Sequence, residues 1–247
     1  MKDSSYLTQA VPYSCPYKPE QQAYNLVAHS SAYMSTKLYS HLVDMGFRRS
    51  GERVYKPNCA RCDACTPVRI PVNHFKATRT QRRVLEKNRD LRISIHKPKN
   101  VEKYYSLFRR YVNERHADSI YMRDPEEVFH QFVLSSWSNT FLVEFRLPNQ
   151  QLVCISICDR LREGWTAAYT FFDPSFAKRS LGTFSILWQI SELQNQGLDY
   201  LHLGYWTQGH DKTQYKTNFQ PAEQFRQGKW IPLDKNASEP STLQTSL

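Results

Sequence analysis

Apolar positions recur every three or four residues over TKLYSHLVDMGF (36–47), where Leu38, Leu42 and Met45 mark one helical face and Gly46 a stop. RVYKPNC then predicts a short strand broken by Pro57, and VRIPV (68–72) alternates as a second strand that Pro71 assigns to a sheet edge. Thr78 or Thr80 caps TQRRVLEKNRDLRI, a helix with a thin apolar stripe and a basic remainder. From Ile93 the pattern becomes denser. ISIHK predicts a strand, and VEKYYSLFRRYVNERH a helix with Tyr104, Leu107, Phe108 and Val112 on one side. PEEVFHQFVLSSW opens with a proline and two glutamates, a helix start. TFLVEFRL, QLVCISICDRL and GWTAAYTFFDP are three apolar runs separated by turn residues, which predicts an antiparallel meander. SLGTFSILWQISELQNQG is a helix ending at Gly197, and LDYLHLGYW a final strand. Residues 234–247, DKNASEPSTLQTSL, have the composition of a disordered tail.

That order predicts an α+β fold with a mixed sheet. It divides the chain into an N-terminal domain (1–92) that is rich in Cys, Pro and Tyr, a second domain (93–233) and the tail. The element order of the second domain also describes GNAT-type acyltransferases, in which backbone amides at a helix start hold the phosphates of an acyl carrier. The matching segment here, FFDPSFAKRSLGTFS (171–185), offers Arg179, Ser180, Gly182 and Thr183. With one glycine instead of several, it is a poor phosphate loop.

Charge sharpens the picture. The chain of 247 residues has a formal net charge of +10. Lys76, Arg79, Arg82, Arg83, Lys87, Arg89 and Arg92 fall within one short stretch against only Glu86 and Asp90. A solvated helix face is the bland reading; the concentration of charge points instead to a polyanionic partner such as nucleic acid. The first residues, MKDSSYLTQAVPYSC, hold no apolar signal-peptide core, and no apolar stretch reaches a membrane-spanning length. A cytoplasmic protein is expected, with no membrane partner and with its six cysteines as free thiols or metal ligands rather than disulfides.

NCARCDACTPVR (58–69) spaces three cysteines by two residues each. Cys15, Cys59, Cys62 and Cys65 together offer four thiolates for zinc or an iron–sulfur cluster. A zinc ribbon uses two separated Cys-x-x-Cys pairs, however, and the second pair is missing. A packed cysteine-rich turn or a redox-sensitive patch is the competing reading. Cys154 and Cys158 sit four apart in a predicted strand and face the core together.

Four segments carry a resemblance: CPYKP (15–19), YKPNCARCDACTPVRIPVNHFKATRTQRRVLEKNRDL (55–91), FDPSFAKRSLGTFSIL (172–187) and LHLGYWTQGHDKTQYKTNFQP (201–221). In order and spacing, over about residues 6–233, the chain resembles the aspartate/glutamate leucyltransferases, bacterial relatives of the eukaryotic arginyl-tRNA–protein transferases. The resemblance implies an N-terminal domain followed by a GNAT-like domain. It implies an enzyme that moves leucine from leucyl-tRNA to the α-amino group of proteins beginning with Asp or Glu, marking them for degradation through the N-degron pathway. No cofactor is required for that reaction. Eukaryotic relatives carry an early Cys-x-x-Cys pair and two adjacent later cysteines; here Lys18 replaces one early cysteine and Ala60 follows Cys59, so the set is degraded.

The chemistry is amine attack on an ester, and an α-amino group of pKa about 7.7–8.0 is already partly neutral near pH 7. Positioning, an oxyanion site and a proton for the leaving ribose oxygen matter more than a strong base. An acyl-cysteine route through Cys59, Cys62 or Cys65 is the less favoured alternative. Arg79, Arg82, Arg83 and Lys87, together with Arg179, Ser180, Gly182 and Thr183, are the tRNA-binding candidates. Arg69 and Arg83 are candidates to grip the acceptor carboxylate. The family commonly has an aromatic pair after Leu-Gly and then Lys-Met-x-Tyr-Lys. Tyr205 and Trp206 match the pair, Lys212, Tyr215 and Lys216 match the second part, and Thr213 replaces the methionine. Tyr205, Lys212, Tyr215 and Lys216 are accordingly the catalytic candidates, with charge and stacking suited to a tRNA 3′ end. His210 and Asp211 share their loop as proton-shuttle candidates. Two rival functions stay open: arginyl transfer, for which Glu144, Asp159, Asp173 and Asp199 form no assignable acidic pocket, and a non-catalytic RNA-binding module stapled by zinc.

Overall fold

The computed structural model describes residues 7–28, 34–115 and 124–234. Eight strands form the main sheet, in the order β14 (Lys229–Pro232), β13 (Glu223–Arg226), β7 (Cys65–Pro71), β12 (Tyr200–Thr207), β11 (Gly164–Phe172), β10 (Leu152–Arg160), β9 (Thr140–Arg146) and β8 (Arg92–His96). The expected meander is there: β9, β10 and β11 pair antiparallel. β12 joins β11 in parallel after a crossover through α5 (Leu181–Asn195), which makes the sheet mixed.

A smaller sheet of β1 (Leu7–Gln9), β4 (Asn25–Ala28), β6 (Arg53–Pro57) and β5 (Arg48–Ser50) is joined by α1 (Thr36–Asp44). β2 (Tyr13–Ser14) and β3 (Gln22–Ala23) make a separate hairpin. On one face of the main sheet α5 and α2 (Arg79–Lys87) cover a core containing Val143, Phe145, Trp165, Leu187 and Leu201. On the other face α3 (Tyr105–Arg115) and α4 (Pro125–Val133) pack Phe108, Val112 and Phe129 against Ile155, Ile157 and Phe171. Tyr104, Leu107, Phe108 and Val112 are buried together as their periodicity predicts.

The structure corrects two expectations. β7 is an interior strand and not an edge, because β13 pairs only with Val68 and Arg69, and Pro67 and Pro71 flank that short stretch. In α1 the buried face is Tyr39, Leu42 and Val43, whereas Leu38 and Met45 are exposed. Tyr39 wins the inward position because its ring meets Trp137 and its hydroxyl reaches Asp159. β7 and α2, which both precede residue 92, are built into the main sheet and its α5 face. The expected tail lies, past Asp234, outside the described residues.

Candidate active site at the divergence of two parallel strands

β11 and β12 pair only from Gly164–Thr166 to Tyr200–His202. Past His202 the two strands separate, and a bulge marks each near that point. Ala168 is the extra residue where β11 meets β10, and Leu203 where β12 meets β7. Bulges re-aim strands and leave a backbone group outside the ladder. The gap between β11 and β12 is thus written into the register.

Gly204 is the first position of β12 beyond the bulge, with φ +72°. A Cβ there would lie 3.7 Å from Arg48 Nη1 and 3.9 Å from Lys216 Nζ. Lys216 is 7% exposed, and its ammonium donates to the carbonyl of Tyr205. Burial, reinforced by Arg48, lowers its pKa to about 7, so its amine is substantially neutral at physiological pH. The Arg48 guanidinium lies over the rings of Tyr55 and Tyr205, 5.9 Å from each. The Tyr205 hydroxyl lies 2.9 Å from the carbonyl of Gly46 and 3.2 Å from that of Tyr55, and burial pushes its pKa up. Its phenol is therefore occupied in holding the smaller sheet against β12. What Tyr205 offers the gap is its carbonyl and one ring face.

Lys212 and Tyr215 stand on the surface beside this corner, with Tyr215 45% exposed. Thr213 is buried. Its hydroxyl accepts from the Thr207 amide at 3.0 Å and reaches the carbonyls of Thr207 and His210, closing the loop between β12 and the short helix at 211–214. The His210 ring meets Tyr17 edge-on, which ties the CPYKP segment to the same loop.

The tRNA-binding candidates lie on α2 and at the turn that leads into α5. Thr78 caps α2 through a capping box with Gln81, whose side-chain amide also donates to the carbonyl of Asn218. At the other end of α2, Lys87 donates to the carbonyl of Lys178 and Asn88 to that of Arg179. Arg79, Arg82 and Arg83 are exposed. Arg179 grips Asp90 with two hydrogen bonds of 2.7 and 3.0 Å, so its charge is partly spent inside the protein. Ser180 adopts a left-handed conformation and leads into α5, and a Cβ on Gly182 would meet only Phe172 at 3.8 Å.

Arg69 is placed elsewhere. Its Nε lies 2.7 Å from Glu223, and its guanidinium is sandwiched between Tyr200 at 3.6 Å and Trp230 at 4.4 Å. Beside it His202 is buried and held neutral, its pKa pushed down to about 3 by burial and by Arg69. This is a packed cation cage in which Arg69 is already paired with Glu223.

Cys59, Cys62 and Cys65 line an open cleft of about 310 Å³ between β6, β7 and β13, together with Lys56, Tyr205 and Arg226. These three and Cys15 are free thiols. Cys59 and Cys62 face each other across a tight turn. Cys59 Sγ accepts from the Tyr24 amide, and Cys65 Sγ contacts Thr207 Oγ1. No three of the sulfurs come within 4.8 Å of one another, and among the described residues Glu102, Glu126 and His130 are the group of metal-capable side chains that do. Burial pushes the Cys65 thiol up to about 11, which disfavours a thiolate nucleophile there. No step of the chemistry is assigned to a metal or cluster.

Arg48 was not singled out from the sequence; the tertiary placement of β5 brings it beside Gly204.

The corner thus holds a buried lysine amine beside Gly204, and α2 carries an exposed basic face. The family model described as arginine-tRNA-protein transferase, N terminus, matches residues 13–83, and that of the C terminus matches residues 103–226. The chain belongs to the aspartate/glutamate leucyltransferase family. It is 41% identical over 229 residues to the aspartate/glutamate leucyltransferase of Pseudomonas entomophila, covering 93% of this chain and 96% of the relative. The Pseudomonas syringae enzyme of the same name is 40% identical over 92% of this chain and 96% of its own. Among solved structures, L-PGS from Bacillus licheniformis superposes with a TM-score of 0.51 at 10% identity, over 80% of this chain and 65% of that one. It shares the fold, and the architecture is the expected α+β one with a mixed sheet. No helix among the described residues is long and apolar enough to cross a membrane.

Proposed function

We propose that this protein transfers leucine from leucyl-tRNA to the α-amino group of proteins that begin with Asp or Glu. The observation that carries this is the 41% identity to curated aspartate/glutamate leucyltransferases, sustained over 93% of the chain. The geometry supplies parts that suit the reaction. The exposed arginines of α2 meet the tRNA backbone as phosphate cations, and Tyr215 with Lys212 receives the terminal nucleotides by stacking and charge. The aminoacyl ester then enters the gap between β11 and β12.

The acceptor amine attacks the ester carbonyl. An N–C bond forms, the C–O bond to the ribose breaks, and the proton lost by the amine ends on the ribose oxygen. Lys216, with a pKa of about 7, is matched to taking that proton and returning it near neutral pH. The backbone amide freed by the bulge at Ala168 is a donor for the developing oxyanion.

Arginyl transfer is the second reading, favoured by the description of the matching family models. An arginine donor needs an uncommitted acidic pocket. Glu144 is bound by Tyr104 and Arg146, Asp159 by Arg49, Asp173 by Arg110 and Asp199 by Asn73, which supports leucine. The test incubates Asp-, Glu- and Ala-led peptides with a mixture of all aminoacyl-tRNAs and weighs the products. A gain of one leucine on the first two peptides only is expected; a gain of arginine would replace the donor.

A further inference from the structure

We infer that Lys56, in the open cleft between the smaller sheet and the main one, binds the side-chain carboxylate of the acceptor's first residue. The inference deepens the transfer reading above and rests on it.

Three observations lead there. First, the cleft offers about 310 Å³, within the range of small-ligand sites, and is bordered by Lys56, Cys59, Cys62, Asp63, Tyr205 and Arg226. Second, Lys56 is the cation there that lacks a carboxylate. It is half-buried, its ammonium lies 4.9 Å from the centre of the Phe47 ring, and no acidic group among the described residues pairs with it. Arg226, by contrast, is already engaged, donating to Asp63 at 2.8 Å and to Thr66 at 3.1 Å. Asp63 is thereby neutralised, and the Lys56 charge stands unopposed. Burial lowers the Lys56 pKa, and an entering carboxylate counters that by favouring the ammonium. Third, the cleft borders the reacting corner. Tyr205 lines it, and the carbonyl of the same residue accepts from the Lys216 amine. The α-amino group and side-chain carboxylate of one Asp or Glu residue are only a few bonds apart, so an anchor for the second belongs beside the centre that uses the first.

The anion is the acceptor's carboxylate and not a tRNA phosphate. Cys158 of β10 reaches Gln189 of α5, on the face where α2 also packs, whereas Asp159, the next residue, meets Arg49 of the smaller sheet. The smaller sheet and its cleft therefore lie on the opposite face of the main sheet from α2, whose exposed arginines suit backbone phosphates. Arg69 and Arg83, expected for the carboxylate, are placed otherwise: the first is paired with Glu223, and the second stands on that exposed face of α2.

The experiment compares peptides that begin with Asp and with Asn, nearly equal in shape and different in charge, on wild type, Lys56→Gln and Lys56→Arg. Leucyl transfer gives kcat/KM for each peptide. Separately, without tRNA, alkylation of Cys59 and Cys62 is timed with and without each peptide and located by mass. The Asp-over-Asn ratio of kcat/KM should fall about 10-fold or more in Lys56→Gln and be largely kept in Lys56→Arg. In wild type the Asp-led peptide should slow alkylation, and the Asn-led one should not. Because the ratio is taken within one protein sample, a partly misfolded variant does not mimic the effect. An unchanged ratio in Lys56→Gln, or alkylation that the Asp-led peptide leaves unslowed, would overturn the assignment. If wild type transfers leucine to neither peptide, yet the Asp-led peptide protects the cysteines and Lys56→Gln abolishes that protection, the site stands and the transfer reading falls.

Discussion

Arg49 and Asp159 face each other through two hydrogen bonds, Nε to Oδ2 at 2.7 Å and Nη2 to Oδ1 at 2.6 Å, with both side chains almost wholly withdrawn from water. The pair joins β5 of the small sheet to β10 of the large one. Thr140 and Thr166 donate to the same carboxylate, so its lone pairs are well satisfied. The neighbouring arginine, Arg48, reaches instead toward Gly204 of β12. Two consecutive residues on one strand thus face different ways, and it is Arg49 that locks the small sheet in place.

Removing one partner of a buried pair leaves the other charge uncompensated. Arg49→Ala should cost about 3–5 kcal/mol, read as a lower urea midpoint. Arg49 also holds the Asp159 carboxyl below the usual carboxylate range. Its folded-state pKa is depressed, so this contribution is present above the ordinary aspartate value and is lost as pH falls through the folded one. In the variant, acid unfolding should begin at higher pH.

Lys216 has the opposite sign. Its amine titrates at about 7 when folded and at the ordinary lysine value when unfolded. Between those values the unfolded chain binds the extra proton, so stability rises with pH across the window. Lys216→Met removes the cost of holding that charge. The variant should be more stable than wild type at pH 7 and below, with the difference shrinking toward alkaline pH. Its transfer rate should fall about 100-fold or more, and the acid limb of the rate profile near pH 7 should disappear. An unaltered limb would remove Lys216 from the proton path.

Gly164 pairs with Tyr200 where β11 and β12 are still together, and a Cβ there would sit 1.8 Å from the Tyr200 carbonyl oxygen. The clash is with backbone, and no side chain can swing aside. Gly164→Ala should destabilise by about 4 kcal/mol or more, checked by thermal melting. A near-neutral change would mean that the two strands do not approach so closely.

The exposed face of α2 offers a cleaner separation of binding from folding. Arg79, Arg82 and Arg83 have no ion-pair partners among the described residues, so changing each to Gln should leave the melting temperature nearly unchanged. Leucyl-tRNA affinity should weaken, and the slope of log K against log salt should flatten by about 0.7–0.9 for each phosphate that an arginine no longer neutralises. An unchanged slope would place the tRNA on another face.

The element order was legible because the meander strands and α5 have strong, uninterrupted apolar patterns. The KTQYK segment was legible through family resemblance, and the structure gives its residues different stations: Lys216 inside, Lys212 and Tyr215 outside. β7 was misjudged because Pro71 signals an edge, and sequence does not reveal that the neighbouring strand pairs over only two residues. Arg69 looked available because its partners Glu223, Tyr200 and Trp230 are more than 100 positions away along the chain. Arg48 was not singled out for the same reason, since Gly204, which it meets, is also distant along the chain.

The most direct measurement supplies tRNA charged with radiolabelled leucine or, separately, arginine to the purified protein with an Asp-led peptide, and with an Ala-led peptide as control. Label reaching only the Asp-led peptide, and only from leucyl-tRNA, is the predicted result. Transfer from arginyl-tRNA alone, or tight tRNA binding with no transfer from either donor, would contradict it.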